Sequence, residues 1–468
     1  MASLLGLFGP LACLGSAVAT GMTPADATAT DIQAEIDALR AEIDAYRAEG
    51  EGDSWADDTR REEIRGIVSD VLADADGRVA FQDDSAIVGW KKGFRLQSPD
   101  GNFLLKIGGQ VQIRWTWNNA KGQTPPATVG NPPRPVRAGD ENLWGFENRR
   151  TKLIFEGHVV DPSWTYRIKG AFPRAGGILF LEEAWVARKL DDGFKVKVGQ
   201  FKAPWLRENL VSSSRQLTVD RSVVNAYFKQ GYSQGIEVSW ASDDFKVAGW
   251  TGDGIGSRGF GPARTNSQNT PWNQTSTAYS FAARGEWRVT GEWSQFKDFN
   301  SKRGSEFGAM VGVSGAIQRA NQNIGAASGT VAGGVTADLT LCFDGASIFV
   351  SGVWTNVAAP SGGGTTNPYG LVVQGGYFVT EDVEAFGRYS YMDYDLTNVP
   401  NEGVNTYNGF TVGANWFINP AVKFTADWSI NFDSLATGAF VAGSAGFRPD
   451  VAGETDQWAF RGQLQLLF

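Results

Sequence analysis

The sequence predicts an all-β fold, an antiparallel transmembrane β-barrel of about 16 strands preceded by an α-helical coiled-coil segment. Two observations favour this fold. From about residue 101 onward, apolar and polar residues alternate with a period of two, as strands with a lipid-facing and a water-facing side require. The connections are rich in Gly, Pro, Asn and Asp and fall into a short and a long class, as the two rims of an outer-membrane barrel do.

Residues 1–19 are predicted to be a secretory signal peptide. The apolar run from Leu4 to Val18 overlaps Ala17-Val18-Ala19, which matches an A-x-A-like cleavage site. Residues 20–30 follow as a polar linker. Removal of the signal would leave Cys342 as the remaining cysteine, so we expect no internal disulfide.

Residues 31–89 are predicted to be a periplasmic helical segment that promotes oligomerisation. Apolar residues recur there with a 4-3-4-3 spacing, which is typical of a coiled-coil seam. The seam consists of Ile32, Ile36, Leu39, Ile43 and Tyr46. So short a seam is not stable alone, and we expect it to depend on a trimeric or other oligomeric body. The alternative is a single surface helix packed on that body.

Residues 90–468 are predicted to form the barrel, and the final strand gives the clearest membrane signal. Its apolar face carries Phe460, Leu464, Leu466 and Phe468. Polar residues occupy the other face, as in a strand that closes a barrel with lipid outside and water inside; the alternative is an amphipathic strand of a soluble sandwich. We count about 16 or 17 candidate strands and predict 16, because bacterial barrels have even strand numbers. A barrel of that size leaves an open aqueous channel.

Basic residues are concentrated in the first part of the predicted barrel. Residues 90–221 carry 22 basic and 12 acidic side chains, whereas residues 222–468 carry 14 and 21. Six of the basic residues fall on the polar faces of three neighbouring strands. They are Arg150, Lys152, Arg167, Lys169, Lys195 and Lys197. Cations lining a narrow pore attract anions, which predicts an anion preference; the alternative is that acidic neighbours such as Glu156 balance them.

The segment 202–232 is too long for a turn and contains both basic and apolar residues. Its basic residues include Lys202, Arg207 and Arg221. Loops longer than about 12–15 residues are usually functional or disordered, and the apolar content of this one favours order. We therefore expect it to fold into the lumen and narrow the pore, with an extracellular cap as the alternative.

Other classes of site find little support. The run from Gly254 to Gly259 satisfies G-x-G-x-x-G, but Pro262 follows where the helix of a dinucleotide site should begin. One His and one mature Cys do not suffice for a zinc site. His158 would face the lumen, but a nucleophile signature is absent. We expect neither enzymatic activity nor a metal, cofactor or nucleic-acid partner.

Several stretches resemble the phosphate-selective porin O and P family. They are Ser98-Pro99-Asp100-Gly101-Asn102-Phe103, Arg149-Arg150-Thr151-Lys152-Leu153, Val198-Gly199-Gln200-Phe201-Lys202-Ala203-Pro204, Ser212-Ser213-Ser214 and Asp220-Arg221-Ser222. The resemblance covers the chain from about residue 90 to the end. It implies a sixteen-stranded, trimeric outer-membrane channel, and some members carry a similar coiled-coil extension. It further implies that Ser213, Ser214 and Arg221, with Arg149 and Arg150, hold an anion at the constriction.

The expected function is passive diffusion through an aqueous pore of the bacterial outer membrane, with the N-terminal segment in the periplasm. The inserted loop would set the size limit and the basic wall the charge preference. The expected partners are outer-membrane lipid, small anions, phosphate among them, and two further copies in a homotrimer. Two alternatives remain open. The 17 Trp and 29 Phe could line a carbohydrate channel, although most alternate onto lipid-facing positions, and the N-terminal helices could tether the membrane to peptidoglycan.

Overall fold

The computed structural model describes Arg40 and residues 87–90, 93–121, 141–174, 177–264, 268–321, 328–360, 364–395, 405–435, 443–450 and 453–468. The chain forms two compact units, Met1–Val79 and Ala80–Phe468. Within the first unit only Arg40, which is helical, is described. The predicted signal peptide, linker and coiled-coil seam therefore lie outside the described residues. In the described part of the chain, no helix is long and apolar enough to cross a membrane.

The second unit is a closed antiparallel barrel of 16 strands, which confirms the predicted barrel and its strand number. The strands are β1 (Leu104–Asn119), β2 (Asn142–Val159), β3 (Asp161–Phe172), β4 (Phe180–Lys189), β5 (Phe194–Phe201), β6 (Ser233–Ala241), β7 (Phe245–Gly252), β8 (Thr277–Thr290), β9 (Gly308–Ala320), β10 (Val331–Phe343), β11 (Ala346–Ala358), β12 (Tyr369–Phe378), β13 (Val383–Asp393), β14 (Thr406–Asn419), β15 (Val422–Asn431) and β16 (Gln457–Leu467). A hairpin of Ile87–Trp90 and Phe94–Gln97 pairs with the start of β1, and Thr365–Thr366 pairs with the end of β11.

The ring closes where β16 pairs with β1, and here the two faces differ sharply in exposure. Gln112 and Arg114, on the lumen face of β1, are 0% and 2% exposed, whereas Ile113 between them is 44% exposed. Large apolar side chains of β16 occupy the same exposed outer face. They are Phe460, Leu464, Leu466 and Phe468. An apolar exterior around a polar interior is what a barrel in a bilayer requires.

Two irregularities in the strands place consecutive charged residues in the lumen. Between β1 and β2 the register skips Arg149, so both it and Arg150 reach the lumen. Between β3 and β4 the register skips Glu182, which joins Glu183 on the lumen side. A β-bulge inserts one extra residue into a strand and re-aims its side chain, which accounts for both pairs.

The side chain of Gln200 supports the bulge in β4. Its Nε2 donates hydrogen bonds to the backbone oxygens of Leu181 at 2.9 Å and Glu182 at 3.2 Å. Gly199, the preceding residue, has a φ of +131°, which a residue with a side chain rarely adopts. Two residues of the Val198–Pro204 stretch therefore have identifiable structural roles in shaping the wall of the barrel.

Short turns join most strands at one rim, as predicted, but one connection at that rim is long. Residues 291–307, between β8 and β9, fold back into the barrel and are here named the inner turn. Its Phe296 and Phe299 are 2% and 3% exposed. Ser347 Oγ of β11 donates to the backbone oxygen of Phe299 at 2.7 Å. The sequence predicts long connections only at the opposite rim, and the inner turn departs from that prediction.

Residues 202–232, here named the inserted segment, contain the helices α1 (Arg207–Leu210) and α2 (Val223–Phe228). Trp205 and Phe228 are fully buried, and Trp205 Nε1 donates to the backbone oxygen of Phe228 at 3.0 Å. Wall residues on opposite sides hold the segment. Ser314 Oγ of β9 donates to Trp205 O at 2.9 Å, and Asp427 of β15 accepts from Val219 N at 3.0 Å. The segment therefore crosses the lumen and fills part of it.

Candidate functional site

A cavity of about 770 Å³ remains between the inserted segment and the wall formed by β2 to β5, and is here named the cationic chamber. Ten Lys and Arg side chains line it, against three Asp and Glu side chains. The residues named by the sequence analysis that line it are Arg149, Arg150, Lys152, Arg167, Lys169, Lys197, Lys202, Ser213 and Arg221. The structure thus brings most of the candidate residues around one space inside the barrel.

The other candidate residues lie elsewhere in the lumen. Lys195 Nζ lies 5.4 Å from the ring centre of Trp185 but does not line the cationic chamber. Arg207 is buried and pairs with Glu286 at 3.3 Å. Ser214 lines a second cavity of about 490 Å³, bounded by the inner turn and the turn between β14 and β15. Ser213 and Ser214, although adjacent, therefore face different spaces.

Asp220 of the inserted segment binds three arginines of the wall. Arg149 donates to both of its carboxylate oxygens, at 2.9 and 3.1 Å, and Arg150 donates to one at 2.7 Å. Arg114 also donates to this carboxylate, which is 3% exposed. Burial alone would raise the pKa of Asp220, but Arg149, Arg150 and Arg114 outweigh it and hold the pKa well below its usual range. These arginines anchor the inserted segment to the wall.

A second ion-pair cluster surrounds the two glutamates of the β4 bulge. Lys152 pairs with Glu182 at 2.6 Å, and Lys169 pairs with both glutamates. Arg167 lies 3.4 Å from Glu183. Strict alternation would turn one of these two glutamates outward. The sequence therefore predicts only Glu156 as an acidic neighbour that balances the cations of the wall. The wall is accordingly less cationic than expected, although it stays basic overall.

Four cations of the chamber form no ion pair with a carboxylate in the described part of the chain. They are Lys202, Arg221, Lys229 and Arg264. Lys202 donates to the backbone oxygen of Asn209, and Arg221 donates to the backbone oxygens of Glu208 and Val211 at 2.8 and 2.6 Å. Neutral carbonyl acceptors leave the positive charge uncompensated. The excess positive charge therefore comes from the insertions into the lumen as well as from the wall.

Lys229 combines exposure to the chamber with a strongly cationic surrounding. Its side chain is exposed and makes no hydrogen bond or ion pair among the described residues. Desolvation of its ammonium group inside the lumen, together with the charges of Arg221, Arg149 and Arg150, lowers the pKa of Lys229 to about 8. An anion entering the chamber would relieve this repulsion.

The sequence marks Lys229 only as one of several charged residues of the loop. It gives no sign that Arg264 lies in the lumen. Arg264 follows the 3₁₀ segment Arg258–Ala263, in the connection between β7 and β8. That connection also folds inward, since Ile255, Phe260 and Ala263 are fully buried. The apolar residues of this connection are the sequence signal that it folds inward, because a loop exposed to solvent has no need of apolar side chains.

The described residues contain no group of His, Cys, Asp and Glu side chains that could hold a metal ion. What the arrangement can do is electrostatic. Fixed ion pairs line the chamber, and a wall with an excess of cations can attract anions into a narrow passage. Polar groups such as Ser213 Oγ, which donates to Gln110 Oε1 at 3.0 Å, complete the lining.

Solved structures with the same fold are porins and related outer-membrane proteins. An anion-selective porin from Comamonas acidovorans is 11% identical with a TM-score of 0.53, covering 78% of this chain and 99% of that one. OmpF of Salmonella typhi, in complex with daunomycin, is 12% identical with a TM-score of 0.51, covering 78% and 98%. The trimer form of in-vitro folded OmpT from Vibrio cholerae is 10% identical with a TM-score of 0.50, covering 78% and 99%. At these identities the likeness shows the fold alone.

No curated protein matches the sequence significantly. A family model described as phosphate-selective porin O and P matches residues 134–432, which is more than half of the chain and spans both the cationic chamber and the inserted segment. Together with the closed barrel, this match shows that the chain belongs to the phosphate-selective porin O and P family of bacterial outer-membrane channels.

Proposed function

We propose that the channel prefers small anions and that phosphate is among its solutes. The observation that supports this proposal is the charge of the cationic chamber, where ten basic side chains face three acidic ones. A pore lined by one sign of charge raises the local concentration of the opposite ion. The basic excess lies beside the inserted segment, where the passage is narrowed and its effect on a passing ion is greatest.

Transport requires no chemical step. The arginines bound to Asp220 and the lysines bound to the β4 glutamates keep the passage in shape. Breaking a buried ion pair costs about 3–5 kcal/mol. These side chains are therefore poorly suited to leave their carboxylate partners each time a solute passes. Lys229 and Arg264 lack such partners, so they are the groups we propose meet the solute first. Contact with them must be weak enough to permit release, as conduction demands.

The test is the reversal potential of the purified full-length protein in a planar bilayer under a potassium chloride gradient. We expect chloride to be more permeant than potassium. Replacing Lys229 and Arg264 together by Glu should reduce the chloride-to-potassium permeability ratio by roughly fivefold or more, because each change reverses a charge beside the passage. A wild-type channel that prefers potassium would refute the proposal.

The same recordings test phosphate and include a matched control. Phosphate added to the chloride solution should reduce the current by occupying the chamber, and the double variant should lose that block. Arg188→Glu reverses one charge on the outer face, where the guanidinium lies 5.0 Å from the ring of Trp164, and should leave selectivity unchanged. Chloride preference without block by phosphate would limit the channel to small monovalent anions.

We also propose a homotrimer, with residues 31–89 joining the three chains on the periplasmic side. The trimer form of the Vibrio cholerae neighbour supports the first part, and the heptad spacing supports the second. Cross-linking of the full-length protein should give a species of three chains, and the alternative peptidoglycan tether predicts retention on purified cell wall.

A further inference from the structure

Aromatic side chains line one side of the cationic chamber. On β4, Phe180 and Trp185 face the lumen on either side of Glu182 and Glu183. Phe180 is 37% exposed and Trp185 is partly exposed. The ring of Tyr232, at the end of the inserted segment, adds a third surface. Partly exposed rings in this chamber need a reason, since most of the side chains that line it are polar or charged.

Trp185 has space beside it because of the residue opposite. Gly199 of β5 pairs with Trp185 across the strands, and a Cβ at Gly199 would lie 3.0 Å from the Trp185 Cβ and 2.7 Å from its Cα. A larger residue at position 199 would therefore collide with β4 at Trp185 and at the backbone oxygen of Ala184, which would lie 2.2 Å from its Cβ. The glycine that shapes the β5 strand thus also allows an indole to stand in the lumen.

Cations lie next to these rings. Lys195 Nζ and Lys197 Nζ are 5.4 and 6.0 Å from the ring centre of Trp185. Lys169 Nζ is 4.9 Å from that of Tyr232. A solute ring that stacks on an indole or phenyl ring in this chamber would thus hold its own substituents close to ammonium groups. One molecule could both stack on a ring and pair with an ammonium group only if it carries an aromatic ring and a negative charge.

We propose that the cationic chamber selects anions that carry an aromatic ring, with aryl carboxylates as the chemical class. This inference rests on the proposed anion preference and names a solute class within it. The ring packs against Trp185 or Phe180, and the carboxylate faces the basic side chains that surround them. A neutral sugar could stack on the rings but would not pair with the cations. A small inorganic anion would pair with the cations but could not stack on the rings.

The experiment compares two blockers of equal charge and similar size. Benzoate and cyclohexanecarboxylate are added in turn to the full-length protein in a planar bilayer carrying a chloride current. Benzoate should block half of the current at a concentration about two- to tenfold lower, the range expected for one aromatic pair. Equal half-blocking concentrations would overturn the aryl selectivity while leaving the anion preference intact. A wild-type reversal potential that indicates potassium preference would instead remove the proposed function itself.

Three variants assign the effect to the chamber. Trp185→Leu together with Phe180→Leu should bring the two half-blocking concentrations close to equality, whereas Trp185→Phe retains a ring and should keep a clear difference. Phe281→Leu removes an aromatic ring that is 51% exposed on the outer face and should leave the ratio at its wild-type value. Undiminished discrimination in the double variant would place the aryl site elsewhere. A neutral maltose oligosaccharide that blocks more strongly than benzoate would contradict the inference and favour a carbohydrate channel.

Discussion

Individual cations in this pore differ in what they are bonded to, and that difference decides their role. Arg149 and Arg150 share the carboxylate of Asp220 with Arg114, so their charges are held in place and partly compensated. Arg221 donates to two backbone carbonyls and keeps its full charge. Lys229 has neither kind of partner among the described residues and is exposed to the chamber. Counting basic residues along the sequence could not separate these three situations.

The anion preference should weaken as the pH rises from 7 to 9. The pKa of Lys229 is lowered to about 8, so its ammonium is mostly charged at pH 7 and mostly neutral at pH 9. Burial and the charges of neighbouring cations lower the pKa of the nearby Lys202 as well. Reversal potentials at the two pH values should show the chloride-to-potassium permeability ratio falling by roughly two- to fivefold, the effect of one charge near the passage.

Arginine at position 229 separates this effect from other titrations. A guanidinium stays charged at pH 9, so Lys229→Arg should retain most of the preference at both pH values. Lys229→Gln should show the reduced preference already at pH 7. If the wild-type ratio were as high at pH 9 as at pH 7, Lys229 would not contribute its charge to selection.

The strands illustrate which elements a sequence pattern reveals. Strict alternation identified the faces of β1 and β16, where Gln112, Ile113 and Gln465 lie as their polarity requires. It could not reveal the bulges at Arg149 and Glu182, because an extra residue in one strand leaves no mark on the pattern except two adjacent charges. Both sites do contain such a pair. Adjacent charges do not suffice to identify a bulge, however, since Arg188 and Lys189 of β4 follow each other in regular register.

The inner turn escaped sequence reasoning for a different reason. Its stretch 291–307 mixes aromatic and polar residues without a clear period, so it resembles neither a strand nor a short turn. In the structure it meets the inserted segment, since Arg215 and Asp298 form an ion pair at 3.4 Å. The contact between two insertions from opposite rims depends on tertiary structure and leaves no local signal.

Removal of the carboxylate from the inner turn should strengthen the anion preference. Asp298 is the only acidic residue among the described residues that line the second cavity, whereas Arg215, Lys302 and Lys423 line it as cations. Asp298→Asn should therefore raise the chloride-to-potassium permeability ratio by roughly two- to fivefold, which reversal potentials would measure. Glu381→Gln removes a carboxylate from an exposed turn at the same rim and should have little effect. An unchanged ratio in Asp298→Asn would show that ions do not pass this cavity, and a lower ratio would contradict the electrostatic argument.

At the scale of the whole molecule, the barrel has two apolar regions. One is its outer surface, and the other is a hydrophobic cluster inside the lumen. Trp205, Phe228 and Phe260 of the insertions pack with wall residues such as Val353 and Val372. This packing fills one side of the lumen and leaves the cationic chamber on the other. The apolar insertions thus determine where the pore lies within the barrel. They leave the charged wall of β2 to β5 accessible to solute.

The outer surface should tolerate charge according to depth in the bilayer. Val313 lies in the middle of β9 and is 55% exposed, whereas Val289 lies one residue from the end of β8 and is 48% exposed. Arginine at the midplane of a membrane barrel costs about 2–4 kcal/mol, against about 0–1 kcal/mol near the interface. Val313→Arg should therefore lower the free energy of unfolding in lipid vesicles by the larger amount, and Val289→Arg by the smaller one, as urea titration would measure. Equal losses at both positions would mean that depth has no influence, and such a result cannot be reconciled with a hydrocarbon environment around the middle of the strands.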